Sequence, residues 1–234
     1  MFRLFYTPTW FNGWDIVFDA VGLLVALLIA GYSWRVYRLH KENKLAYFSL
    51  AFVSIAVSFA VKVFTSAILY FKPVRDVTAV VLNPITGPSL QFADLFYRSA
   101  FFLQMLAMLC ALLLIFFISQ KSRSRLKKYY EVSQIGLFVY LVLLISIVSN
   151  FQYFVFYLTS TVLLSLIVLN YYKNYLNADK NKNTHKVMLS FLLMLLGNIF
   201  FVFVFFHNGF YVIGEVLVLL GFLLLLKTYG RIKR

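Results

Sequence analysis

Five ionisable side chains and one amide stand out within long apolar runs: Asp19, Lys62, Asp94, Arg98, Glu215 and Asn198. A charge at the centre of a bilayer costs about 2.5–3.5 kcal/mol on insertion scales and less near the interface, so such groups pair, line a cavity or reach water. Asp94 and Arg98 are four residues apart and can pair along one helix face. Asp15 and Asp19 also share a face, so the upper acid can be solvated while the lower seeks a cation such as Lys62. Ser54, Ser58, Lys62 and Ser66 recur every fourth residue, a polar stripe suited to a cavity wall or a helix contact. The formal sum over Asp19, Lys62, Asp94, Arg98 and Glu215 is −1, which leaves room for a bound proton, a cation or a ligand amine. The chemistry in view is therefore ligand, ion or proton binding; interhelical salt bridges of purely structural value are the competing reading.

Other chemistries find little support. The one cysteine, Cys110, sits in an apolar run and excludes an internal disulfide or a cysteine metal cluster. His40, His185 and His207 fall at segment ends without HxxxH or HExxH spacing, so no metal site is expected. Paired acids with a histidine, a nucleophile elbow and cofactor motifs are all missing from the sequence. A membrane enzyme is therefore the less supported reading, and no cofactor is expected.

The elements that must hold these residues are membrane spans. Of 234 residues, 62% are hydrophobic and 13% charged, and mean hydropathy is +0.85, against about 25% charged in soluble domains. Several apolar runs exceed the roughly 18 residues that read as a crossing. A lone chain in hydrocarbon must satisfy its own backbone, which selects helices. The sequence predicts an all-α integral membrane protein, a single domain over 1–234, with seven spans. They run from about Ile16 to Trp34, Leu45 to Phe71, Phe92 to Ser119, Val132 to Ser149, Tyr153 to Tyr171, Val187 to Phe206 and Phe210 to Leu226. A tight turn near Asn150 divides the fourth from the fifth. The first span is retained, because its apolar stretch carries Asp15 and Asp19 and lacks the basic start of a cleaved signal. Between spans two and three, Val77–Leu82 is β-prone and Asn83–Gly87 has turn chemistry, so a short β-hairpin is expected there, with an irregular loop as the alternative.

At about 1.5 Å per residue, Asp19, Arg98 and Glu215 lie roughly 7–10 Å below one membrane boundary and Lys62 roughly 14 Å, with Asn198 level with Lys62. One half of the bundle carries the polar layer, and the other is nearly free of charge. Seventeen of the 22 Lys and Arg residues fall on the opposite side from that layer, and three on its own side. The positive-inside rule then puts the N-terminus and the polar layer outside and the C-terminus in the cytoplasm. A multi-pass protein of the cell membrane is expected. The lipid bilayer is its first partner, and anionic lipids touch the basic cytoplasmic face. A small ligand from the outer side and a cytoplasmic protein partner are further expectations. The +14 charge reflects orientation and not nucleic acid.

All four prolines (Pro8, Pro73, Pro84, Pro88) lie outside the spans, which argues against broken-helix transporters and against the PQ-loop and SWEET-like families. Gly197, Gly214 and Gly221 are the places left for a helix break, and Gly214 and Gly221 also suit close helix contact. In architecture alone the chain resembles microbial rhodopsins and other seven-span receptors. The lysine that retinal needs in the middle of span seven is missing from Glu215–Phe222. The reading is a receptor- or sensor-like bundle with an outward-facing polar pocket. A small-solute or ion transporter or channel, and a structural or assembly subunit, are the alternatives.

Overall fold

A computed structural model describes residues 7–86, 94–120, 153–177 and 181–231, with side chains for all of these except Thr9, 81–86, 94–96 and Arg231. After a 3-10 turn at Thr9–Phe11, seven α-helices follow among the described residues. They are α1 (Trp14–His40), α2 (Asn43–Tyr70), α3 (Lys72–Thr86), α4 (Asp94–Ser119), α5 (Tyr153–Asn177), α6 (Lys182–Val202) and α7 (Gly209–Arg231). All but α3 are long and apolar enough to cross a membrane. The described residues contain no strand. The predicted fourth span, Val132–Ser149, and the turn near Asn150 lie outside them.

The six long helices form a closed ring: α1 packs on α2, α2 on α4, α4 on α5, α5 on α6, α6 on α7, and α7 returns to α1. One stripe of α1 faces inward (Asp15, Asp19, Gly22, Val25, Ala26, Ile29, Ala30 and Ser33), at the three- and four-residue spacing of a helix face. Leu24, Leu27 and Leu28 are exposed on its other side, where hydrocarbon is the compatible solvent. The α1–α2 turn is short because Lys41 adopts a left-handed conformation (φ 53°) and its N–H caps the carbonyl of Tyr37. Two hydroxyls then clip the antiparallel pair at this end: Ser33 Oγ donates to Leu45 O at 2.8 Å and Ser49 Oγ to Ala30 O at 2.9 Å.

α6 and α7 approach so closely that three glycines are required. A Cβ on Gly197 would meet the carbonyl oxygen of Gly214 at 2.8 Å, and one on Gly221 would meet that of Ser190 at the same distance. The glycines expected as break points are thus contact points, and both helices run unbroken through them. Without a hydrophobic drive between helices in lipid, such close backbone packing is a main source of association.

α4 and α5 run parallel. Phe101 and Phe156 meet near their N-terminal ends, with ring centroids 6.0 Å apart. Asn170 and Asn174 donate to Ser119 Oγ and O, at 3.0 and 2.9 Å, near their C-terminal ends.

The expected hairpin is instead α3. Its β-prone valines do not alternate: Val74 and Thr78 face the protein, whereas Val77 and Val80 are 68% and 78% exposed, a helical arrangement. Pro73 occupies the first turn, where a missing N–H costs nothing. Thr78 Oγ1 bonds back to the Val74 carbonyl at 2.7 Å. A hairpin at this position would have no third strand or sheet to lean on, and isolated hairpins are marginal. The sixth span also ends earlier than predicted, at Val202, because Phe203–Phe206 turn away toward α7.

Candidate functional site: a buried acid–lysine–acid triad beside a central cavity

Three of the six singled-out residues converge. From α2, Lys62 Nζ donates to Asp19 Oδ1 of α1 at 2.9 Å and to Glu215 Oε1 of α7 at 2.5 Å. All three are sealed from solvent, with exposures of 4% for Lys62 and Glu215 and 0% for Asp19. The ring explains why they meet. Asp19 lies on the inward stripe of α1, and the α1–α2 and α7–α1 contacts bring Lys62 and Glu215 to the same level. One lysine between two carboxylates leaves the triad at a formal −1. Asp19 Oδ2 is buried with no hydrogen-bond partner.

An aromatic wall encloses the lysine. The Tyr211 ring centroid is 5.6 Å from Nζ, within cation–π range. Tyr211 packs on Phe201 (5.5 Å), which packs on Tyr157 (4.7 Å). Phe11, from the 3-10 turn ahead of α1, covers Tyr211 from above at 6.4 Å. The Tyr211 hydroxyl and Ser66 Oγ, one turn beyond Lys62, are also buried without partners. Buried polar atoms are normally bonded, so this cluster has donor and acceptor capacity to spare.

Below the triad, the middle of the ring holds a cavity of about 60 Å³. Lys62, Glu215, Asn198, Tyr157, Gln104 and Ser58 supply its polar wall, and the remainder is aromatic or aliphatic down to Ile115, Phe191 and Phe52. About one 10–15 Å³ unit holds a water, so this space holds several. Along α2 it reaches from Lys62 to Phe52, ten residues or about 15 Å. Asn198 is on the wall, and its Nδ2 donates to Met194 O at 2.9 Å, which leaves Oδ1 as its acceptor.

Other expectations fall elsewhere. Arg98 is exposed on α4 and lies outside the triad. Asp94 opens α4, and its side chain is outside the described residues, as is the proposed Asp94–Arg98 pair. Asp15, expected to meet solvent, is fully buried. Its Oδ1 accepts from the N–H groups of Gly13 and Ile16 at 2.9 and 3.0 Å, and its Oδ2 from Tyr70 OH at 3.3 Å. Local donors and the positive end of α1 satisfy it without a salt bridge. On the serine stripe, Ser58 Oγ donates to Gln104 O at 3.0 Å and ties α2 to α4, whereas Ser54 is on the exposed side and bonds within its own helix. Sequence reading missed Tyr157, Tyr211 and Gln104. Their only signal was polar atoms inside predicted spans, which interfacial tyrosines share. Among the described residues no three His, Cys, Asp or Glu side chains gather as a metal site.

Helices of this length and hydropathy, with leucine, valine and phenylalanine on their outer faces, define a polytopic helical membrane protein. No family model, curated protein or solved structure matches the chain.

Proposed function

We propose that this chain is a receptor- or sensor-like seven-span bundle of the cell membrane, with its N-terminus outside, that binds a small ligand at the polar end of its central cavity. The observation that carries this reading is the cavity beside a buried acid–lysine–acid cluster of formal charge −1 among the described residues: Glu215 and Lys62 belong both to the triad and to the cavity wall. A structural salt bridge would account for the triad but not for the space next to it. Transport is less well supported, because the far stretch of the cavity, from Leu112 and Leu164 to Phe191, offers no polar step among the described residues.

The parallel run of α4 and α5 supports seven crossings. α4 ends and α5 begins at opposite ends of the bundle, and the sequence between them contains Val132–Ser149, an apolar run of crossing length. The distribution of basic residues supports the orientation.

The test is side-specific labelling of Asn198→Cys in a Cys110→Ala background, with a membrane-impermeant methanethiosulfonate applied to each face of sealed vesicles. The expected result is modification from the extracellular face alone. Absence of labelling from either face would mark a dry structural core, and labelling from both would mark a transport path; either result overturns the proposal.

A further inference from the structure

The cavity has a chemical preference that can be read from what its wall offers. Among the described residues Lys62 is the one cationic group on its wall, and its ammonium already donates to two carboxylates. A carboxylate or phosphate entering the cavity would find no free cation and would meet Glu215. The acceptors are better placed. Glu215 is engaged by Lys62 through Oε1, Asn198 keeps Oδ1, and the Gln104 amide is also on the wall. Tyr157, Phe201 and Phe156 also line this end of the ring. Aromatic rings with a few oxygen acceptors and a surplus negative charge suit an organic ammonium, which donates up to three hydrogen bonds and is attracted to ring faces. A bare metal ion needs a shell of six or so oxygens, and this wall is mostly carbon.

Shape narrows the class further. About 60 Å³ spread over some 15 Å is a slender channel. Beyond the polar end its lining includes Met108, Leu112, Leu164 and Met194, and methionine adapts to flexible chains. We infer that the cavity takes a slender alkyl amine, its ammonium against Glu215 and Asn198 and its unbranched tail running toward Ile115. The assignment rests on the pocket reading above and specifies its ligand. Binding brings the charge of the triad and ligand together to zero.

The experiment uses the full chain in neutral phosphatidylcholine nanodiscs and three probes that differ only at the head: n-hexylamine, 1-hexanol and hexanoate. Hexylamine should raise the unfolding midpoint saturably, with an affinity at least about tenfold above that of hexanol, since a hydrogen-bonded charge pair is worth that much. Hexanoate should give no shift. Glu215→Gln should cancel the advantage of the amine over the alcohol. Asp19→Asn, which removes the same charge from outside the cavity wall, should reduce that advantage by less. Met108→Trp, with Leu164→Phe as a milder plug, should abolish binding of both amine and alcohol. If amine and alcohol bind equally and both are blocked by the plugs, the amine assignment falls and the pocket survives. If no probe gives a shift that the plugs remove, both readings fall.

Discussion

Removing Lys62 should damage this protein far more than removing either of its acidic partners. The distances of 2.9 and 2.5 Å from Nζ put Asp19 Oδ1 and Glu215 Oε1 at most about 5.4 Å apart. With the lysine in place, the acids share one counter-charge. In Lys62→Met they face each other, and at an effective dielectric of about 20 their repulsion is about 3 kcal/mol. That agrees with the roughly 3–5 kcal/mol lost when one partner of a buried ion pair is deleted. Asp19→Asn or Glu215→Gln does the reverse: each leaves a balanced lysine–carboxylate pair and keeps an amide able to hydrogen-bond. These two substitutions should cost under about 1.5 kcal/mol. For a chain of this size, 1 kcal/mol moves the midpoint by about 2–4 °C, so Lys62→Met should fall by on the order of 10 °C and the acid variants by only a few degrees. The single cysteine supplies the assay, since Cys110 is half-buried in the fold and a thiol-reactive dye will report its exposure on heating. Restoring balance should also rescue: Lys62→Met combined with both acid substitutions should recover most of the loss, a non-additive result. Equal losses for all three single variants, or no rescue in the triple, would refute the account of one surplus acid.

Three further outcomes follow from the packing. Gly197→Leu should lower the midpoint strongly, because its Cβ alone would come within 2.7 Å of Val218 Cγ2 and 2.8 Å of the Gly214 carbonyl; the same substitution at Gly31, where nothing lies within 4 Å, should be nearly silent in the same thermal assay. Tyr211→Phe keeps the ring over Lys62 and deletes a buried hydroxyl that has no partner, so its midpoint should stay level or rise, whereas Tyr211→Leu should lower it. Single cysteines at Gln120 and Phe154, in a Cys110→Ala background, should be labelled from opposite faces of the membrane if α4 and α5 run parallel; labelling from one face would contradict that arrangement.

What was legible in the sequence divides along depth and azimuth. Depth is set by the length of an apolar run and the position of a residue within it, and Asp19, Lys62, Glu215 and Asn198 were placed near a common level from these alone. Azimuth is different, because it depends on which neighbours a helix acquires. Arg98 shares the depth of the triad, yet α4 turns it outward and buries Tyr97, the residue before it. A long arginine one or two turns from a helix end can extend toward the headgroups, a route that an inward charge lacks. For Asp19 no such route exists, since the stripe of α1 that carries it also carries Gly22, Val25 and Ala26 against the core. The sequence could say that these acids needed a partner; only the closed ring says which face each helix turns toward it.

The same distinction explains the hairpin. Local preference for strand in Val77–Leu82 was real, but a strand requires another strand beside it, and α2 delivers the chain from a helical end with a single extended residue, Phe71, between. With Pro73 already fitting a first helical turn, the backbone can satisfy itself without a partner, which at a membrane boundary is the decisive requirement. An analogous argument bears on the triad. A lysine held by two acids from two other helices ties α1, α2 and α7 at one level, which is stabilising only while the lysine is present. A fold that needed nothing but a clamp could have used one acid and one lysine. The second acid adds a charge that no described residue neutralises, beside a space able to admit something that could.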